Sequence, residues 1–142
     1  MINLITNTSL FPLLVVSLFF AILFIQSGFD KIVDFNGNLN YFKNHFQHTI
    51  FKNWTRLLLI IILLMELVTG LFFLAALLEV FIIDLKDDFS FSLIFFGLSL
   101  SAITICCLFL GQRLAKDYAG ASTLTIYFAL NLLGFLFLSI AK

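Results

Sequence analysis

Four long apolar runs constrain this chain more than anything else in it: residues 11–29, 57–83, 91–111 and 121–141. A helix of about 20 residues crosses the roughly 30 Å hydrocarbon core of a bilayer, and each run has that length. The second, at about 27 residues, must tilt or project beyond the core. No water satisfies the backbone inside hydrocarbon, so runs this apolar must be helical. The short alternating segments of a β-barrel are absent. The expected fold is all-α: an integral membrane four-helix bundle, one domain over residues 1–142.

Composition points the same way. The chain is 62% hydrophobic and 11% charged, whereas a soluble domain carries about 25% charged residues. Lipid is the solvent such a surface needs. Lys plus Arg and Asp plus Glu both total 8, so no basic excess points to a nucleic-acid partner. Cys106 and Cys107 are adjacent within an apolar run and read as packing residues, with neither a disulfide framework nor a zinc site. His45 and His48, three apart, have no third ligand at convincing spacing. Phosphate loops and nucleophile–base pairs are missing, so independent catalysis is not expected. The first ten residues hold no Lys or Arg and no A-x-A site follows, which makes the first run a retained span.

The loops set the orientation. Loop 1 carries Lys31, Lys43, Lys52 and Arg56, and loop 3 carries Arg113 and Lys116. The other side has Lys86 and Lys142, with the acidic cluster Asp84, Asp87 and Asp88. Six cations against two place loops 1 and 3 in the cytoplasm and both termini outside. Loop 1 is also periodic: Phe35, Leu39, Phe42, Phe46, Ile50 and Trp54 line one helical face. An amphipathic, aromatic-faced helix over about 38–54 should lie at the membrane interface. Docking a partner protein through that same face is the alternative.

Each span carries a stripe of small or polar residues at helical spacing. The stripes are Ser17, Ala21, Phe24, Gly28 and Lys31; Glu66, Thr69 or Gly70, Phe73 and Ala76; Gly97, Ser101, Thr104, Cys107 and Gly111; Gly120, Thr123, Tyr127, Asn131 and Gly134. Membrane helices pack through small residues and interhelical hydrogen bonds, so the stripes should meet inside the bundle. Glu66 lies about ten residues inside its span, roughly 15 Å deep. An ionisable group there costs several kcal/mol unless paired, protonated or hydrated, and marks a functional site by default. Tyr127, Asn131 and Thr104 reach similar depths. Gln26 and Ser27 lie nearer the cytoplasmic surface. A neutral Glu66 bonded to Asn131 or Tyr127 is the purely structural reading.

The ends of the first and third spans look alike. One reads Gly28-Phe-Asp-Lys31-Ile-Val-Asp34-Phe35-Asn-Gly37, the other Gly111-Gln-Arg113-Leu-Ala-Lys116-Asp117-Tyr118-Ala-Gly120. Spacing allows Lys31–Asp34 and Arg113–Asp117 pairs along each helix. If the ends abut, the four charges form a gate or anion-binding patch; snorkelling interfacial charges are the equal alternative.

The segments Gln26-Ser27-Gly28-Phe29-Asp30-Lys31, Met65-Glu66-Leu67-Val68-Thr69-Gly70 and Asp117-Tyr118-Ala119-Gly120 resemble the DoxX family of small bacterial membrane proteins. The likeness extends over nearly the whole chain, in the order and length of the spans; the motifs are short, and loop 1 is longer and more aromatic than the family pattern. The resemblance implies a four-helix bundle of the bacterial inner membrane, a link to quinol oxidation or thiosulfate–quinone oxidoreduction, and polar positions at Lys31, Glu66 and Asp117.

The resulting expectation is an accessory membrane subunit, or a bundle binding a small hydrophobic ligand, quinone or lipid, tied to a membrane oxidoreductase. The ligand-binding residues are Gln26, Ser27, Lys31, Glu66, Thr69, Thr104, Arg113, Asp117, Tyr127 and Asn131. No cofactor is encoded: cysteine pairs for clusters and inward histidines for haem are lacking, so quinone enters only as a ligand and electron transfer needs partner subunits. A structural scaffold docking a complex through loop 1 is the alternative. A proton-coupled transporter using Glu66 ranks last, without broken helices or inverted repeats.

Overall fold

The computed structural model describes residues 10–82 and 88–141. Its helices are α1 (Leu10–Val33), α2 (Phe35–His45), α3 (Thr55–Ile82), α4 (Asp88–Leu114) and α5 (Tyr118–Ala141). All but α2 are long and apolar enough to cross a membrane, so the fold is an all-α membrane four-helix bundle. The spans pack in a ring: α1 on α3, α3 on α4, α4 on α5 and α5 back on α1. Expected Lys86 and most of the acidic cluster, like Lys142, lie outside the described residues.

The stripes turn inward. Ser17, Ala21, Phe24, Gly28, Glu66, Thr69, Gly70, Phe73, Ala76, Gly97, Ser101, Thr104, Asn131 and Gly134 are all buried. The opposite surface is apolar and bare, with Ile22, Leu71, Ile103 and Ile126 each more than half exposed. Bare aliphatic surface of that extent suits acyl chains rather than water. Two stripe members break the pattern: Cys107 and Thr123 are exposed.

Small residues set the helix crossings. A Cβ on Gly70 would lie 2.6 Å from Ile25 Cγ1 and 3.0 Å from the Ile25 backbone nitrogen, so α3 meets the α1 backbone directly there. Gly28 seats Leu67 one turn further along the same seam. At mid-bundle Phe20 stacks on Phe73 at 5.5 Å and on Phe24 at 5.8 Å. These rings fill the space between α1 and α3 with the large apolar area that aromatic pairs supply.

The corners are built by capping. Asp34 leaves the helical region at φ −122°, ψ 62°, which ends α1, and its side chain accepts from the Gly37 N–H at 2.9 Å, which starts α2. Asn38 Nδ2 donates to the Asp34 carbonyl at 2.8 Å and secures the bend. Asp117 repeats the device, accepting from the Gly120 N–H at 2.9 Å at the start of α5. A Schellman arrangement closes α4, with Asp117 N–H to Gln112 O at 2.9 Å and Lys116 N–H to Arg113 O at 3.2 Å. Lys116 takes the left-handed position at φ 62°.

Loop 1 departs from the expected 38–54 helix. The helix runs from Phe35 to His45 and is followed by turns through Trp54. The apolar period continues past His45, but tertiary packing overrides it: the buried Phe46 ring lies over Gly111 of α4. The Thr49 hydroxyl then donates to the Phe46 carbonyl at 2.9 Å and accepts from Phe51 N–H at 3.1 Å, closing a turn. Ile50 and Trp54 are left exposed.

The Gly70 contact gives a direct test. Gly70→Ala should destabilise the bundle by about 1–3 kcal/mol in detergent unfolding titrations. Gly97→Ala should cost less, because the atoms nearest its Cβ belong to the Phe73 side chain, at 3.1 Å, rather than to backbone.

Candidate functional site

Glu66 is buried in the α1–α3 seam and paired with Lys31. The Lys31 Nζ lies 2.8 Å from Oε2 and 3.0 Å from Oε1, with side-chain exposures of 12% and 3%. Ser27 completes the cluster, its hydroxyl donating to Glu66 Oε1 at 3.0 Å. Lys31 also donates to Ser27 Oγ at 2.9 Å and to the Ser27 carbonyl at 3.2 Å. Residues 27 and 31 share a helical face one turn apart, so a single stretch of α1 brings both to the carboxylate. Taking a carboxylate and an ammonium out of water is expensive, and only close contact with further hydrogen bonds offsets the cost.

This cluster forms one wall of a cavity of about 430 Å³. Tyr127 of α5 lines it opposite, with Leu23, Phe24, Ile105 and Leu108 supplying apolar walls. The helix α2 contributes Asn38, Tyr41 and Phe42, and the α4–α5 corner contributes Gln112, Gly120 and Thr123. Among the described residues no partner is found for the Tyr127 hydroxyl. The cavity thus combines an internally neutralised ion pair, a free hydroxyl and mostly apolar surface, the composition of a small-molecule site.

The other expected site residues go elsewhere. Gln26 is exposed on the outer face of α1. Thr69 and Thr104 are buried but bond their own helices, to Met65 O at 2.6 Å and Leu100 O at 2.8 Å. Asn131 does not approach Glu66; its Nδ2 donates to Leu98 O at 3.1 Å and to Ser101 Oγ, tying α5 to α4. Tyr127 lines the cavity without bonding Glu66. The carboxylate's partner is thus Lys31, the cation at the end of the α1 stripe, rather than Asn131 or Tyr127.

The four-charge gate does not form either. Lys31 turns to Glu66 rather than Asp34, Asp34 and Asp117 are spent on caps, and Arg113 sits 4.9 Å over the Tyr118 ring. The likeness between the two span ends is a shared Asp-aromatic-x-Gly capping sequence. Glycine suits its last position because a Cβ on Gly120 would lie 2.8 Å from Asp117 Oδ2.

Asn38, Tyr41, Phe42 and Gln112 were not anticipated at the site. The only sequence signal was Phe42, on the apolar face of loop 1. His45 Nε2 and Gln112 Oε1 are 2.8 Å apart and join α2 to α4, whereas His48 is exposed. Neither a protein-family model, nor a curated protein, nor a solved structure matches this chain.

The ion pair makes a signed prediction. Lys31→Met, which strands the carboxylate, should cost about 3–5 kcal/mol of bundle stability, while Lys31→Met with Glu66→Leu should recover most of it. A double-mutant cycle in mixed micelles measures both.

Proposed function

We propose that this chain is a DoxX-like protein of the bacterial inner membrane. In this reading it is an accessory subunit whose cavity binds a small hydrophobic molecule, quinone or lipid, for a partner oxidoreductase. The observation that carries the reading is the cavity of about 430 Å³ between the Lys31–Glu66 pair and Tyr127. A quinone headgroup presents carbonyl oxygens to donors and its ring to apolar walls. Tyr127 offers a donor, and Phe24, Ile105 and Leu108 offer the walls. The ion pair supplies a strong local dipole beside the carbonyl, and it holds α1 against α3 so that the cavity keeps its shape. Any electron transfer belongs to the partner. In this orientation loops 1 and 3, with the cavity end, face the cytoplasm.

The scaffold alternative has less to stand on. On its docking face, the apolar side of loop 1, Phe42 and Phe46 turn onto the bundle while Ile50 and Trp54 stay exposed.

Titrating the purified protein in phosphatidylcholine nanodiscs with a short-tailed benzoquinone tests the proposal. Saturable binding should fall at least tenfold in Tyr127→Phe and in Glu66→Gln, and stay unchanged in Arg113→Gln. Binding that is non-saturable, or indifferent to Tyr127 and Glu66, overturns it.

A further inference from the structure

A second cavity, of about 280 Å³, lies under α2 on the other side of Phe42. Its walls are almost wholly apolar, from Phe46, Phe51, Ile62 and Cys107 among others. The two cavities share Tyr41, Phe42, Leu108 and Gln112 as a common partition. Gln112, one of the four, is hydrogen-bonded to His45 of the second cavity's lining. Of these four, Phe42 is half-buried and belongs to the lining of both cavities.

Charge narrows what the first cavity accepts. Among its described lining residues Lys31 is the one cation and Glu66 the one anion, and they are in contact. Three contacts, to Glu66, Ser27 Oγ and Ser27 O, already occupy the Lys31 ammonium. An anionic head would therefore meet a carboxylate whose counter-charge is already committed, with no further cation in the described lining to offset the repulsion, which is costly. A neutral head with an acceptor oxygen for Tyr127 avoids that cost.

We infer that the two cavities are the head and tail compartments of one site. The site takes an uncharged, single-chain amphiphile: a carbonyl-bearing head beside Lys31–Glu66 and Tyr127, and a hydrocarbon tail passing Phe42 into the chamber under α2. This rests on the proposed ligand-binding function and adds the path of the tail and the charge of the head. Membrane quinones and monoacylglycerols share this chemistry. The cysteine pair becomes a reporter, because Cys107 lines the tail chamber and Cys106 lies against a different surface with Phe109 and Phe128.

The test uses the full chain in phosphatidylcholine nanodiscs. The probes are decyl-benzoquinone, tail-less benzoquinone, monodecanoyl glycerol and decyl phosphate. In Cys106→Ser protein, a neutral decyl ligand should slow alkylation of Cys107 by N-ethylmaleimide at least fivefold, and the tail-less quinone should not. Cys107→Phe, which fills the chamber, should weaken the decyl ligand at least tenfold and leave the tail-less quinone unchanged. The tighter of the two neutral decyl ligands identifies the source. If Glu66-dependent binding persists with Cys107 unprotected and Cys107→Phe silent, the tail lies in the bilayer; this inference then fails while the proposed function stands. Preference for decyl phosphate overturns the neutral head. Absence of binding by every probe overturns both readings.

Discussion

A carboxylate in the middle of a membrane helix forces a decision on everything around it. Glu66 cannot remain ionised against bare acyl chains; it must be paired, protonated or hydrated, and here a partner reaches it from a neighbouring helix. Lys31 does so, with Ser27 one turn earlier filling a further lone pair. That contact sets the register of α1 on α3: residue 66 must lie level with residues 27 and 31. The glycines agree with the same register, since Gly28 and Gly70 sit where the two helices come closest. Polar pairing and small-residue packing thus specify one arrangement, and the agreement matters more than either alone.

The cavity follows from that register and from the corners. With α1 held against α3, the space toward α5 is bounded by Tyr127 and Leu124 and roofed by α2. The helix α2 stays in place because Asp34 both ends α1 and caps α2, and because His45 and Phe46 engage α4. On the other side the α4–α5 corner is short, and Asp117 both completes the Schellman turn and caps α5. Asp34 and Asp117 are therefore structural, while Glu66 stands in the cavity wall beside Lys31.

Much of the fold was legible because bilayer thickness makes length and hydropathy sufficient evidence for a span. The inward stripes were legible for a related reason, since few polar residues survive in lipid unless they face one another. Partner choice was not. Depth along the helix placed Glu66 level with Asn131 and Tyr127, but depth does not say which helices are adjacent at that level. In the structure Asn131 faces Ser101 and Leu98 instead. The Asp-aromatic-x-Gly repeat is visible in the sequence, where charge spacing alone allows either a charged patch or snorkelling side chains. An aspartate directly before a helix is first of all a cap, and that is its role here. The end of α2 at His45 was not readable from periodicity, because Phe46 leaves the pattern for a tertiary contact over Gly111. The second cavity had no sequence signal, because its lining comes together from loop 1, α3 and α4.

The account depends on the Lys31–Glu66 contact existing in a bilayer. Solid-state NMR on protein in lipid, labelled with ¹⁵N at Lys31 Nζ and ¹³C at the Glu66 carboxylate, measures it through their dipolar coupling. The account predicts a strong coupling, consistent with the 2.8 Å separation of Nζ and Oε2. A coupling so weak that nitrogen and carboxylate oxygens lie beyond the roughly 4 Å limit of an ion pair would contradict it.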